Sequence, residues 1–269
     1  MTVIGIDIGG STTKIIGIDN GVQLNPLQVK ATDPITSVYG AFGRYMSENG
    51  LALDNINRIM VTGVGATHIK EDIYGISTSH VDEFSAIGRG GLSMSGLKKA
   101  IVVSMGTGTA YVHAQGDEIY QMGGTGVGGG TLLGLSARFL DIRNFESIIT
   151  LAESGNIDNV DLSIGDLSVD KDAYMPSKIT ASNFGKISDY ATKNDIALGL
   201  VNMVLQTIGM MAVFASKIDG TQDIVLCGNL TCISFAESIF KSIEDLHSVK
   251  FHIPDRAEYA TALGAALSL

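Results

Sequence analysis

The chain has 269 residues, 45% of them hydrophobic, with 33 glycines, 4 prolines and a formal charge of −10 at pH 7. That length holds one large or two modest domains with a substantial core, and the apolar content excludes a disordered chain. The negative charge argues against a nucleic-acid or anionic-membrane surface, so an anionic ligand has to be held locally, by backbone N–H groups, a lysine and a metal.

The first element is IGIDIGGSTTKIIGID, Ile4 to Asp19. Apolar residues alternate up to Asp7, break at Gly9 and Gly10, and resume after Lys14, which predicts a strand, a turn and a returning strand. A plain hairpin needs the glycines but not an acid and three hydroxyls beside them. Glycine lets the backbone approach a ligand closely, and Ser11, Thr12 and Thr13 offer N–H and O–H groups to anionic oxygens. Lys14 adds a point charge, unless it is an ordinary edge-strand lysine. Asp7 suits a metal-bound water.

Next come NRIMVTGVGATH, a strand entering a glycine turn, and HVDEFSAIGRGGL, acid-rich and then helix-permissive. AIVVSMGTGTAYVHAQGDEIYQ, Ala100 to Gln121, repeats the opening arrangement, with its turn at Gly106, Thr107, Gly108 and Thr109. Six glycines follow in the eight positions Gly123 to Gly130, then an apolar periodic stretch that predicts a helix whose N-terminus faces an anion. Ile196 to Ala215 is uncharged and long enough to cross a bilayer. Asn202, Gln206 and Thr207 within it favour a helix buried in a core or at a subunit contact. DIVLCGN is a further strand ending in Gly228 and Asn229, and helix-like sequence runs from Ser234 to Leu246.

Several strands thus end in glycine-rich polar turns, and ligands of open α/β sheets lie outside such carboxyl ends. Two halves divided near Leu97 would turn their loops towards one cleft. Cys227 and Cys232 read as incidental thiols of a reducing compartment, and the five scattered histidines form no metal or nucleophilic site. The chain opens on a strand with no basic leader, so the expected location is cytoplasmic.

Taken together, GIDIGGSTTK, VTGVGA, VDEF, MGTGTA, GGTGVGGGTLLGL, TASNFG, VLCGN and ATALGAAL occur in the order found in the type II pantothenate kinases, which the chain resembles over nearly its whole length. The resemblance implies an α/β, two-lobed actin-like ATPase fold of the ribonuclease H-like kind, with nucleotide in the cleft between lobes. Residues 1–97 would form the phosphate-binding lobe and 98–256 the nucleotide-binding lobe with dimerisation helices, while 257–269 return to the first. ATP and Mg²⁺ are the implied cofactors, with Asp7 holding the metal through water. Gly9, Gly10, Ser11, Thr12 and Lys14 would form the first phosphate loop and Gly106, Thr107, Gly108 and Thr109 the second. Gly126, Gly128, Gly129 and Gly130 would line the glycine-rich stretch, and Gly228 and Asn229 the adenosine side, the Asn229 side chain being read as an ordinary turn residue. Glu83 would be the general base that takes the proton of the attacking hydroxyl; Asp82 is its local rival, and alignment on the EF pair selects Glu83.

The resemblance further implies a small-molecule substrate, pantothenate, a homodimer in which Gly199 and Gly209 permit close approach, and coenzyme A or its thioesters as regulators. Thr107, Ala110 and Gln121 would touch the substrate beside Glu83. Here the chain departs from the pattern: Gln121 stands where the family carries an arginine for the pantothenate carboxylate, and Ala110 where it carries a small hydroxyl residue. Either a nearby cation such as Arg89 compensates, or the substrate is a neutral relative such as pantetheine. An activator-type ATPase, a regulator, or another small-molecule kinase on the same scaffold are the rival readings; the activators' CAAGTG-like cysteine segment is not in this sequence.

Overall fold

The structure is a computed structural model that describes residues 1–30, 33–168 and 176–269. Its first sheet comprises β1 (Thr2–Ile8), β2 (Thr12–Asp19), β3 (Val22–Gln23), β4 (Leu27–Lys30), β5 (Ile56–Thr62) and β6 (Thr78–His80), ordered β3-β2-β1-β5-β6 with β4 also on β2. The opening hairpin forms as its alternation predicts, and Asp7 lies opposite Lys14. β5 runs parallel to β1 and places Thr62 beside Asp7.

Both faces of β1 are covered, which is why that strand is buried at nearly every position. Ile4, Ile6 and Ile8 point into a core with Val38, Phe42 and Tyr45 of α1 (Pro34–Asn49). Val3 and Met60 pack on the opposite face.

The second sheet is ordered β13-β12-β7-β8-β9. It consists of β7 (Lys99–Met105), β8 (Thr109–Gln115), β9 (Glu118–Thr125), β12 (Asp223–Cys227) and β13 (Lys250–His252). Between α2 (Glu83–Ser95) and β12 lie α3 (Gly129–Phe139), α4 (Phe145–Glu153), the pair β10 (Leu162–Ser163) and β11 (Thr180–Ser182), short α5 (Ile164–Leu167) and the long α6 (Lys193–Asp219). Residues of α3, α4, α6 and α7 (Ala236–Glu244) share the large core behind the sheet.

α6 extends beyond the uncharged stretch at both ends, because Thr192 and Asp195 close a capping box and Gly220, at φ 73, ends the helix. It is long and apolar enough to cross a membrane by composition, but its inner face is packed in that core. Gly199 and Gly209, expected at a subunit contact, belong to that inner face instead. A Cβ on Gly199 would stand 2.7 Å from Val160, and one on Gly209 would stand 2.4 Å from Ile243. They make room for packing within the chain.

The TASNFG segment is tied to α6 by a buried carboxylate. Asp161, 4% exposed, accepts hydrogen bonds from the Phe184 N–H at 2.9 Å, from Asn202 at 2.8 Å and from Asn183 at 3.1 Å.

Layer order departs from chain order at the centre. α2 precedes Leu97, yet its Ile87 is buried with Ala100, Val102, Val112 and Ala114 of the second sheet. The terminal helix α8 (Ala260–Ala266) lies on the first sheet, where a Cβ on Gly5 would fall 1.9 Å from the Ala262 carbonyl oxygen. α2 and α8 then cross at backbone contact. A Cβ on Gly90 would meet the Ala260 oxygen, and one on Gly264 the Ala86 oxygen, each at 1.8 Å. Glycine is the residue that permits so close a crossing.

Candidate active site

The site gathers where both sheets end. The first turn, closed by the Gly9 N–H donating to the Thr12 carbonyl at 3.0 Å, meets the second directly: Ser11 and Thr107 share a hydroxyl hydrogen bond of 3.0 Å. The Asn229 amide donates to the Thr12 hydroxyl at 3.4 Å. Asn229 is therefore more than the ordinary turn residue expected; its side chain links the third turn to the first. Gly228, at φ 91, donates its N–H to the Ala257 carbonyl and so anchors that turn near α8.

The glycine-rich stretch packs on the second turn. β9 continues through Thr125, and α3 begins at Gly129. The Gly129 N–H donates to the Gly106 carbonyl and the Gly130 N–H to the Thr107 carbonyl, both at 2.9 Å. Thr109 donates to the Val127 carbonyl at 2.8 Å, and a Cβ on Gly128 would stand 2.7 Å from the Thr107 oxygen. These two amides of α3 thus hold the second glycine turn in shape. Gly126 has open space around its Cα.

Asp7, Lys14 and Glu83 come together electrostatically. Burial pushes the Asp7 carboxyl above its ordinary value, and the Lys14 charge opposes that shift. Lys14 is 5% exposed, which removes it from the class of edge-strand lysines. Burial lowers its ammonium, opposed by the charges of Asp7 and Glu258. Glu83 is the first residue of α2, behind Asp82, whose carboxylate caps the helix by accepting from the Ser85 N–H at 2.8 Å. Capping occupies Asp82 and leaves Glu83, half-buried, as the carboxylate that feels the Asp7 charge. Burial raises the Glu83 carboxyl first, and the neighbouring charges of Asp7 and Asp82 raise it further. Such a group holds a proton more readily than a solvated glutamate, as a general base at neutral pH requires.

On the acceptor side, Ala110 and Gln121 lie on the β8–β9 hairpin, where Gln121 is exposed. Arg89 does not supply the missing cation: its guanidinium pairs with Asp117 at 3.0 Å, at the hairpin tip remote from the Gly106 turn. Two residues near the cluster were not singled out from sequence, Thr62 and Glu258. Thr62 ends β5 immediately before Gly63, and that strand-end position was the available signal. Glu258 reaches Lys14 only through the return of the C-terminus, which no local pattern announces.

A cavity of about 500 Å³ begins just past Asn229, with Thr231, Cys232, Ser234, Glu237 and Lys241 in its wall. Cys227 is buried, its thiol pushed up to about 12 by desolvation, and Cys232 is exposed.

Two paired sheets, glycine turns meeting across them and an acid at the head of the joining helix define an actin-like, two-lobed ATPase fold. Solved structures agree. The activator of 2-hydroxyisocaproyl-CoA dehydratase from Clostridium difficile, with bound ADPNP, superposes with a TM-score of 0.71 at 18% identity, covering 99% of this chain and 93% of that one. A ROK family glucokinase from Streptomyces griseus, in complex with glucose and AMPPNP, gives 0.63 at 12% identity over 99% and 98%. At those identities the likeness is one of fold.

Sequence comparison narrows the class. The Fumble family model matches residues 99–265, and the chain belongs to the Fumble family. The type II pantothenate kinase of Staphylococcus haemolyticus is 28% identical over 97% of this chain and 98% of its own length. That of Bacillus anthracis is 29% identical over 86% and 84%. The resemblance seen in the motifs is thus matched over the whole chain.

Proposed function

We propose that the chain is an ATP-dependent kinase that phosphorylates the primary hydroxyl of pantothenate, the first step of coenzyme A biosynthesis. The observation that carries this reading is Asp7 set opposite buried Lys14 across β1 and β2, with Glu83 at the head of α2 within reach of the Asp7 charge. It comes in a chain whose full-length relatives are type II pantothenate kinases.

Phosphoryl transfer depends on positioning and charge neutralisation more than on covalent help. In the proposed arrangement the nucleotide lies between the lobes. Its phosphates meet the turns at Gly9–Thr12 and Gly106–Thr109, and its adenosine side meets Gly228, Asn229 and the cavity beyond them. Lys14 lies beside the transferred group, and Glu83 takes the proton of the acceptor hydroxyl. Among the described residues no three His, Cys, Asp or Glu side chains gather as a chelate. This fits Mg²⁺ held by the nucleotide and, through water, by Asp7; when bound it would neutralise phosphate charge.

One observation favours a second reading of the acceptor. With Gln121 neutral and Arg89 held by Asp117, neither residue offers a carboxylate the bidentate fork an arginine gives. A neutral relative such as pantetheine suits that surface. Coupled measurement of ATP turnover with pantothenate, with pantetheine and with neither tests both readings. Turnover that rises with pantothenate supports the first, a kcat/KM higher for pantetheine supports the second, and no response to either removes both.

The assembly proposed is a homodimer through α6, a cytoplasmic enzyme with coenzyme A or an acyl-CoA as regulator. Supporting the contact is a stripe on the outer face of α6, where partly buried Met203, Met210 and Met211 lead to Phe214, 56% exposed, and Ile218, 81% exposed. An apolar stripe of this length is costly to leave in water.

A further inference from the structure

Strand alternation places a buried hydroxyl beside the Asp7 carboxylate. Along β5, Ile59 and Val61 face the α1 core, whereas Met60 packs with Val3, Ala265 and Ala266 on the other side. Two-residue periodicity puts Thr62 on the Met60 face, and Asp7 on the Val3 face of the neighbouring strand. The register aligns the two residues side by side. Gly63 follows at φ 88, so close to the carboxylate that a Cβ there would stand 2.6 Å from Asp7 Oδ1.

Thr62 is 0% exposed, and its Oγ1 has no hydrogen-bond partner among the described residues. An unpaired buried hydroxyl opposes folding, and valine would fill nearly the same space without that cost. The strongest acceptor in the neighbourhood is the carboxylate one strand away, and a threonine hydroxyl moves between staggered positions by one rotation about χ1.

We propose that Thr62 is a positioning residue for Asp7: in the nucleotide-bound protein its hydroxyl turns to donate to the carboxylate and fixes the direction in which the other oxygen faces the cleft. A hydrogen bond to an ionised carboxylate is shorter and stronger than one between neutral groups. It would hold Asp7 in one rotamer beside the phosphate loops, a task that Lys14, which makes no hydrogen bond or ion pair to it among the described residues, leaves open. This role rests on Asp7 serving the nucleotide, as proposed above.

The test compares wild type, Thr62→Val and Thr62→Ser in two measurements. The first is thermal unfolding without ligand and with MgADP, which requires no acceptor substrate. The second is kcat and the KM values for ATP and pantothenate. The expected result is a Thr62→Val protein at least as heat-stable as wild type without ligand. Its MgADP-induced stabilisation should be smaller and its kcat lower by roughly ten- to a hundredfold, the size of one charge-assisted bond. Its KM for pantothenate should be unchanged, and Thr62→Ser should restore both losses. If valine disturbs the core, Thr62→Ala reads the same loss against Thr62→Ser. Equal kcat and equal MgADP stabilisation in wild type and Thr62→Val would overturn the role, as would a serine variant no better than valine. A wild type that MgADP does not stabilise at all would remove the nucleotide reading itself, and this role with it.

Discussion

Gly90→Ala and Gly264→Ala should each loosen the whole molecule, because the two glycines allow α2 and α8 to cross. A methyl group on Gly90 would stand 1.8 Å from the Ala260 oxygen and 2.6 Å from its carbon; one on Gly264 would stand 1.8 Å from the Ala86 oxygen and 2.7 Å from the Gly90 nitrogen. These neighbours are backbone, so no side chain can swing aside. The helices have to separate by more than an ångström before the contact passes 3.0 Å.

Two opposing terms decide the sign. Alanine is favoured over glycine inside a helix by about 1 kcal/mol. Overpacking costs typically ~1–3 kcal/mol where side chains can adjust, and more where only backbone can move. A net loss of about 2 kcal/mol or more is expected at each site. The internal control is Gly43 in α1, with nothing within 4 Å of its added Cβ; there Gly43→Ala should stabilise by up to ~1 kcal/mol. Urea unfolding at constant m-value reads all three. Activity should follow stability at the crossing, since α2 carries Glu83 while α8 packs on the sheet that carries Asp7. A Gly90→Ala protein as stable as Gly43→Ala would show that the crossing is looser than its geometry implies, and would refute the reasoning.

Other expectations concern charge and assembly. Glu83→Gln should abolish phosphoryl transfer by ~10²–10⁴-fold while ATP still binds. Because the Glu83 carboxyl is raised in the folded state, its ionisation costs stability as pH rises through that raised value, so Glu83→Gln should be the more heat-stable protein at pH 7. In wild type the acid limb of kcat should lie above 4.5, the ordinary glutamate value; a limb at or below it would deny Glu83 the role of base. Asp161→Ala removes the acceptor of three hydrogen bonds, one of them from buried Asn202, and should cost about 2 kcal/mol by urea unfolding; a loss under ~1 kcal/mol would show that water replaces the carboxylate. Phe214→Glu should give a monomer by sedimentation at micromolar concentration, and an unchanged dimer would place the contact elsewhere.

Much of the architecture was legible because it is written in local patterns. Alternating apolar residues around Asp7 and around Ser104 gave two hairpins, and an acid followed by permissive residues gave the helix that begins at Glu83. The misreadings share a cause: each depended on which partner a flexible or charged group finds after folding. Glycine density after Gln121 correctly implied close backbone approach, but which backbone comes close, that of Gly106 and Thr107, was not legible. Gly199 and Gly209 implied close approach too, and what comes close is Val160 and Ile243 of the same chain. Arg89 was near in sequence to Glu83, yet its position along α2 carries it to Asp117.

These cases set a rule for reading the cluster itself. A glycine in sequence announces that something comes close and is silent about what; an acid or a lysine announces a charge and is silent about its burial. Asp7 and Lys14 gain functional meaning because strand pairing sets them opposite one another and the returning C-terminus removes them from water. Burial without a compensating ion pair is unfavourable for both groups, as it is for the unpaired Thr62 hydroxyl on neighbouring β5. Three such costs in neighbouring positions support the proposed reading of a site prepared for a charged ligand.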